Sequence, residues 1–166
     1  MPAPRLSQTR SDSKVLKATR QNLVALVERE WHILFSLLRG SPEEQMLRPG
    51  ASGHWSGRDL LLHIATWEEE FMAAVPLILA GRPLPRYGNI DAFNARQQAQ
   101  WQNLSLAEAW ERALATHKAL VRCVASLPCL PEATERRLRR RLRWDTYGHY
   151  RLHAALVRNW LSLPQA

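Results

Sequence analysis

The stretch Trp55-Ser56-Gly57-Arg58-Asp59-Leu60 carries the strongest helix start in the chain. Ser56 stands as N-cap with Asp59 three residues on, so each side chain can take a backbone N–H that the first turn leaves free, and Trp55 and Leu60 hold the positions of a hydrophobic staple. The helix that opens here presents Leu60, Ile64, Trp67, Phe71, Val75 and Ile78 on one face and stops near Gly81-Arg82-Pro83. A helix with one apolar stripe buries it against other elements, and the rest of the chain supplies helices of the same kind.

Upstream, Leu16, Leu23, Leu26, Val27, Trp31, Ile33, Leu34, Leu37 and Leu38 recur at helical spacing over residues 14–39, and Gly40 ends the run. Ser41-Pro42-Glu43-Glu44 predicts an N-cap, a proline at the first helical position and an acid at the third, hence a short helix that breaks before Pro49-Gly50. Downstream, residues 81–104 form a long connection with turn residues first and a short helix from Asp91; its length suits a crossover better than a tight hairpin. Ser105 and Glu108 form a second capping box, and Ala109, Trp110, Ala113, Leu114, His117, Leu120, Val121 and Val124 follow until Leu127-Pro128. After Pro131 an arginine-rich segment with Leu138 and Leu142 one turn apart leads into WDTYGHYRLHAALVRNWL (residues 144–161), where Asp145 or Thr146 is placed to cap the last helix. No alternating strand pattern, internal repeat or glycine-rich phosphate loop is present. The reading is an all-α four-helix bundle, with a long crossover between the second and third helices, in a single domain over residues 14–166.

Composition narrows the class. The chain has 166 residues, 46% of them apolar, enough for one buried core. No apolar run reaches the roughly 20 residues of a bilayer span, because His63 and Glu68-Glu69-Glu70 interrupt the richest stretch, so no membrane association is expected. Residues 1–13 are polar, lack an apolar signal core and read as a disordered arm, which points to a cytoplasmic protein. Cys123 and Cys129 are too few for a disulfide framework and read as free thiols, Cys123 inside an apolar pattern. The net charge of +8 is concentrated: Arg136, Arg137, Arg139, Arg140, Arg141 and Arg143 stand within eight residues, and the remainder is nearly neutral. That run admits three readings: a solvated basic helix, a docking patch for nucleic acid, or a rim that attracts an anionic substrate. A specific nucleic-acid reader would add a recognisable fold or an aromatic platform, and none is evident.

The residues suited to chemistry are histidines. His149 and His153 are four apart, so on a helix they share a face about 6 Å apart along the axis, and Leu156 and Trp160 continue that stripe toward the bundle. His63 lies on the core side of the second helix, near Leu60 and Trp67, where a third imidazole can converge on the same point. Three neutral imidazoles hold a divalent ion and leave a coordination position for water or substrate, although a histidine on an apolar stripe is more often a hydrogen-bonded core residue. His117, on a stripe of the third helix, is such a core residue, a support for the site, or a substitute ligand. Asp59 could orient His63 from one turn away or act only as a cap. Glu68, Glu69 and Glu70 could supply an acid or base, with a solvated face as the plainer reading. Tyr147 and Tyr150 flank the histidine pair, and with Trp67 they are candidates to line a pocket or simply to pack.

WSGRDLLLHIATWEE (residues 55–69) resembles the second-helix signature of the DinB-like (YfiT-like) superfamily of metalloenzymes, DTYGHYRLHAALVRNWL (residues 145–161) resembles its last helix, and GNIDAFNARQ (residues 88–97) resembles the crossover of the subgroup that includes the colibactin self-protection protein. The resemblance implies a four-helix bundle, often a homodimer, with zinc or nickel on histidines that match His63, His149 and His153. It implies a thiol S-transferase or hydrolase, since relatives use bacillithiol, mycothiol or glutathione and include mycothiol-dependent maleylpyruvate isomerase; other members lack a complete metal site. This chain departs from the nearest subgroup in having Leu152, where an acid is common, and in its dense arginine run. Two functions are therefore carried forward. One is a metal-dependent enzyme acting on a reactive small molecule, with a low-molecular-weight thiol as a further cofactor. The other is a non-catalytic stress-response or binding module with a basic docking face. An enzyme that neutralises a reactive metabolite without metal joins the two.

Overall fold

The capping box at residue 56 forms as its spacing predicts: Asp59 N donates to Ser56 Oγ and Ser56 N donates to Asp59 Oδ2, each at 3.1 Å. The computed structural model describes residues 6–163, with side-chain surroundings from residue 19 onward. Helix α1 spans Leu6–Arg39, α2 Glu43–Leu47, α3 Gly57–Leu79, α4 Ile90–Trp101, α5 Leu106–Ser126, α6 Glu132–Asp145 and α7 Tyr147–Ser162. The arm read over residues 1–13 lies in part outside the described residues, and the remainder of it enters only as the backbone of α1. Helices α1, α3, α5 and α7 make the bundle: α3 packs on α5, α1 on α7 and α5, and α6 leans on α3 and α7. Leu34, Leu38, Leu60, Phe71, Leu120, Val124, Tyr150 and Val157 meet in its core. No described helix is long and apolar enough to cross a membrane.

Helix ends follow local chemistry. Helix α5 opens on the second capping box, Ser105 with Glu108. Helix α3 closes at Gly81 in the left-handed region (φ +67), with Gly81 N donating to Ile78 O and Arg82 N to Leu77 O, the paired bonds that a glycine just past a helix end permits. The crossover then carries α4, capped by Asn89.

Three expectations are corrected. Ser41 does not cap α2; its hydroxyl donates back to Leu37 O, and Pro42 takes the cap position. Neither Asp145 nor Thr146 caps α7 by its side chain: Thr146, fully buried, donates its hydroxyl to Leu142 O at 2.6 Å, and Asp145 is held by Arg141. A short antiparallel hairpin, β1 (Pro49–Ser52) with β2 (Trp55–Ser56), stands where no strand was read. In addition α3 is buried on every side from Leu60 to Glu68, wider than the single stripe predicted, because helices and the hairpin surround it.

Candidate metal centre

Helix α3 delivers His63 and helix α7 delivers His149 and His153 to one point. The Nε2 atoms of His63 and His149 are 2.9 Å apart, and those of His153 and His149 are 2.8 Å apart. His63 and His153 are buried and His149 nearly so. Burial, reinforced by the neighbouring imidazoles, holds His63 well below its ordinary range and His149 down to about 3, and burial takes His153 to about 4. All three are therefore neutral at pH 7. A neutral imidazole nitrogen carries either one proton or one lone pair, so His149 Nε2 can complete only one of its two contacts by hydrogen bonding. A cation facing three lone pairs satisfies every nitrogen at once, and the residues present therefore fit a divalent ion.

The surroundings orient these rings. The hairpin brings Ser52 Oγ to 3.1 Å from His153 Nδ1; a proton on Nδ1 donated to Ser52 leaves the Nε2 lone pair toward the other two histidines. Trp55 lies against His63 with ring centroids 4.3 Å apart. The three histidines form the floor of a cavity of about 1030 Å³ whose walls include Trp55, Trp67, Tyr87, Asn94, Trp144 and Tyr147. Trp67 Nε1 donates to Asn94 Oδ1 at 3.1 Å, which ties the crossover helix to α3. Tyr87 donates to Glu70 at 2.6 Å and receives Arg141 at 2.8 Å, and the carboxylate pushes its hydroxyl, already raised by burial, to about 12.

Of the remaining candidates, Trp67 and Tyr147 line this cavity, whereas Asp59, Tyr150 and His117 serve elsewhere. Asp59 spends its oxygens on Ser56 N and Arg58, so it is a cap. Tyr150 is fully buried and donates to Glu68 Oε1 at 2.6 Å, and His117 Nδ1 stands 2.9 Å from the same oxygen while its ring stacks on Trp31 at 4.0 Å. His117 is thus a core residue apart from the three-histidine floor. The solvated-face reading fails for Glu68, which is wholly buried; burial raises its pKa against the opposing pull of His117 and Tyr150. Glu69 pairs with Arg112 at 2.6 Å. The stripe assumed for α7 is also shifted: Leu156 is 38% exposed, and the core face runs through Tyr150, His153, Ala154 and Val157. His153 therefore points inward, while His149 stands at the edge, facing the cavity. Cys123 is half-buried, with its thiol pushed up by burial.

The arginine run divides by partner. Arg136 pairs with Glu132, Arg137 donates to the carbonyl of Arg82, Arg139 holds Glu135 at 2.6 Å and Arg141 holds Asp145 at 2.5 Å. Arg140 and Arg143 have no ion-pair or hydrogen-bond partner among the described residues, and Arg139, Arg140, Arg141 and Arg143 all line the histidine cavity. Asp145 lies there too, its carboxyl pushed up to about 7 by burial despite Arg141. Ser52, Tyr87, Asn94 and the buried role of Glu68 were missed from sequence.

Among solved structures, the fold is similar to that of an uncharacterised protein from Escherichia coli UTI89, with a TM-score of 0.71 and 14% identity over 85% of this chain and 91% of that one. A search of curated proteins finds no match. The family model described as the DinB superfamily matches residues 26–159, which take in the capping box, the crossover and all three histidines. The chain belongs to the DinB superfamily.

Proposed function

We propose that this protein is a divalent-metal-dependent enzyme of the thiol S-transferase or hydrolase type, acting on a reactive small molecule. The observation that carries the reading is the contact of three neutral imidazole nitrogens, which hydrogen bonding alone cannot satisfy, at the floor of a cavity. His63, His149 and His153 would hold zinc or nickel and leave a position open on the cavity side. An ion so held supplies Lewis acidity, lowering the pKa of water or of a low-molecular-weight thiol bound to it. Ser52 fixes the His153 ring; the indoles of Trp55 and Trp67 exclude water and seat an apolar substrate body. Asp145, with a carboxyl poised near neutrality on the cavity wall, is suited to accept or return a proton.

Elemental analysis of protein purified without a metal-affinity tag tests the reading. About one zinc or nickel per chain is expected, and no more metal than in a His63→Ala/His149→Ala double variant would reject it. A homodimer located in the cytoplasm belongs to the same proposal; light scattering at the single-chain mass would remove the dimer from it.

A further inference from the structure

We propose that Arg140 and Arg143 form an anion subsite at the mouth of the histidine cavity, so that its ligand carries a carboxylate, sulfonate or phosphate group on an apolar body. The inference deepens the functional reading above and rests on it only in taking this cavity as the ligand site. The two arginines are three apart on α6, hence on one face of the helix, and both line the cavity. The other arginines of the run are engaged by Glu132, the Arg82 carbonyl, Glu135 and Asp145, which leaves these two guanidinium groups without partners among the described residues. The cavity lining contains a single carboxylate, Asp145, already bound by Arg141.

A cleft with one sign of charge and apolar walls focuses its field on an incoming ion. A guanidinium group meets a planar or tetrahedral oxyanion through paired N–H donors. Trp144, 74% exposed beside Arg143, and Leu152, 59% exposed, add apolar surface to the same lining. The combination fits a small amphipathic anion. A polyanion such as nucleic acid wants a basic track continued along the surface, whereas here the two unpaired arginines, exposed at their outer side, line one cavity together with Trp55, Trp67 and Trp144.

The test uses full-length protein in metal-free and zinc-loaded forms, titrated by calorimetry with naphthalene-1-sulfonate and with naphthalene-1-methanol, which shares the bicyclic body and lacks the charge. Sulfonate is a poor metal ligand, so a preference for it reports the arginines and not the ion. We expect the sulfonate to bind at least about tenfold more tightly than the alcohol in both forms, with a preference that shrinks as salt rises. The variant R140Q/R143Q should lose that preference with its zinc stoichiometry and melting temperature unchanged, and R136Q/R137Q should keep it. Equal binding of the two probes, no binding of either, or a preference that survives in R140Q/R143Q would overturn the proposal. So would a single-stranded oligonucleotide that binds more tightly than the sulfonate through the same two arginines and gains affinity with length, because that result assigns the face to a polyanion. A sulfonate preference in a protein that takes up no zinc would reject the metal reading and leave the anion subsite standing.

Discussion

Glu68 shows how a single buried residue can set the terms for its neighbours. Its carboxylate accepts a hydrogen bond from Tyr150 at 2.6 Å and lies 2.9 Å from His117, with no water-facing surface. Tyr150→Phe should therefore destabilise the fold by about 1–3 kcal/mol, since it removes a donor from a buried carboxyl group; a shift of the urea midpoint read by circular dichroism checks this. The signal for Glu68 was present in the sequence: it follows Ile64 by four residues and precedes Phe71 by three, on the same stripe. Its membership in an acidic triplet hid that register; Glu69 and Glu70, at the next positions, are half-buried and reach Arg112 and Tyr87 instead. The histidines make a second prediction at this scale. The folded values of about 3 for His149 and about 4 for His153 lie below the unfolded value of about 6.5, so the unfolded chain binds more protons below that pH and stability falls on acidification. Between pH 7 and pH 5 metal-free protein should lose about 2 kcal/mol for each of these two groups relative to His149→Gln/His153→Gln, while Asp145, raised to about 7, works in the opposite sense in both proteins. Denaturation curves at the two pH values that fall in parallel for both proteins would contradict it.

Elements were legible where their ends are written in local chemistry and obscure where tertiary packing decides. Both capping boxes, the glycine that closes α3 and the helix within the crossover follow from side chains within four residues of the boundary. The hairpin was not legible because its strands are too short to alternate, and only the two residues Gly53 and His54 between them hint at a turn. The break between α6 and α7 is a packing event: Thr146 is buried at φ −130, ψ −108, and Gly148 comes so close to α6 that an added Cβ would lie 2.6 Å from the carbonyl oxygen of Arg143. Backbone cannot yield there without moving one helix against the other. Gly148→Ala should cost about 1–3 kcal/mol of stability and, by displacing the adjacent His149, weaken zinc binding by about tenfold or more. Thermal melts with and without zinc measure both effects; an alanine variant with unchanged melting and unchanged zinc affinity would show that the elbow is not tight.

At the scale of the whole molecule the candidate centre ties two regions distant in sequence, α3 through His63 and α7 through His149 and His153, with the hairpin locking the last ring from outside. Sequence spacing gave the i, i+4 pair and placed His63 on the core side of its helix as a third imidazole, and the resemblance matched all three. Neither could show that α6 would turn two unpaired arginines onto the same cavity, since that depends on how the α6–α7 elbow folds back over α3. Because the three imidazoles come together only in the folded chain, an ion bound by them would favour the folded state by mass action, about 2.7 kcal/mol at a free concentration one hundred times the Kd. For a chain of this length that corresponds to a rise of roughly 5–10 °C in Tm. Zinc should produce that rise in the wild-type protein, and calcium, which prefers oxygen ligands, should not. In His63→Gln the pair on α7 remains but no longer clamps α3, so the zinc-dependent rise, taken against the variant's own metal-free melt, should shrink to a small fraction. The full increment in that variant would place the ion on α7 alone and remove the link between the two helices.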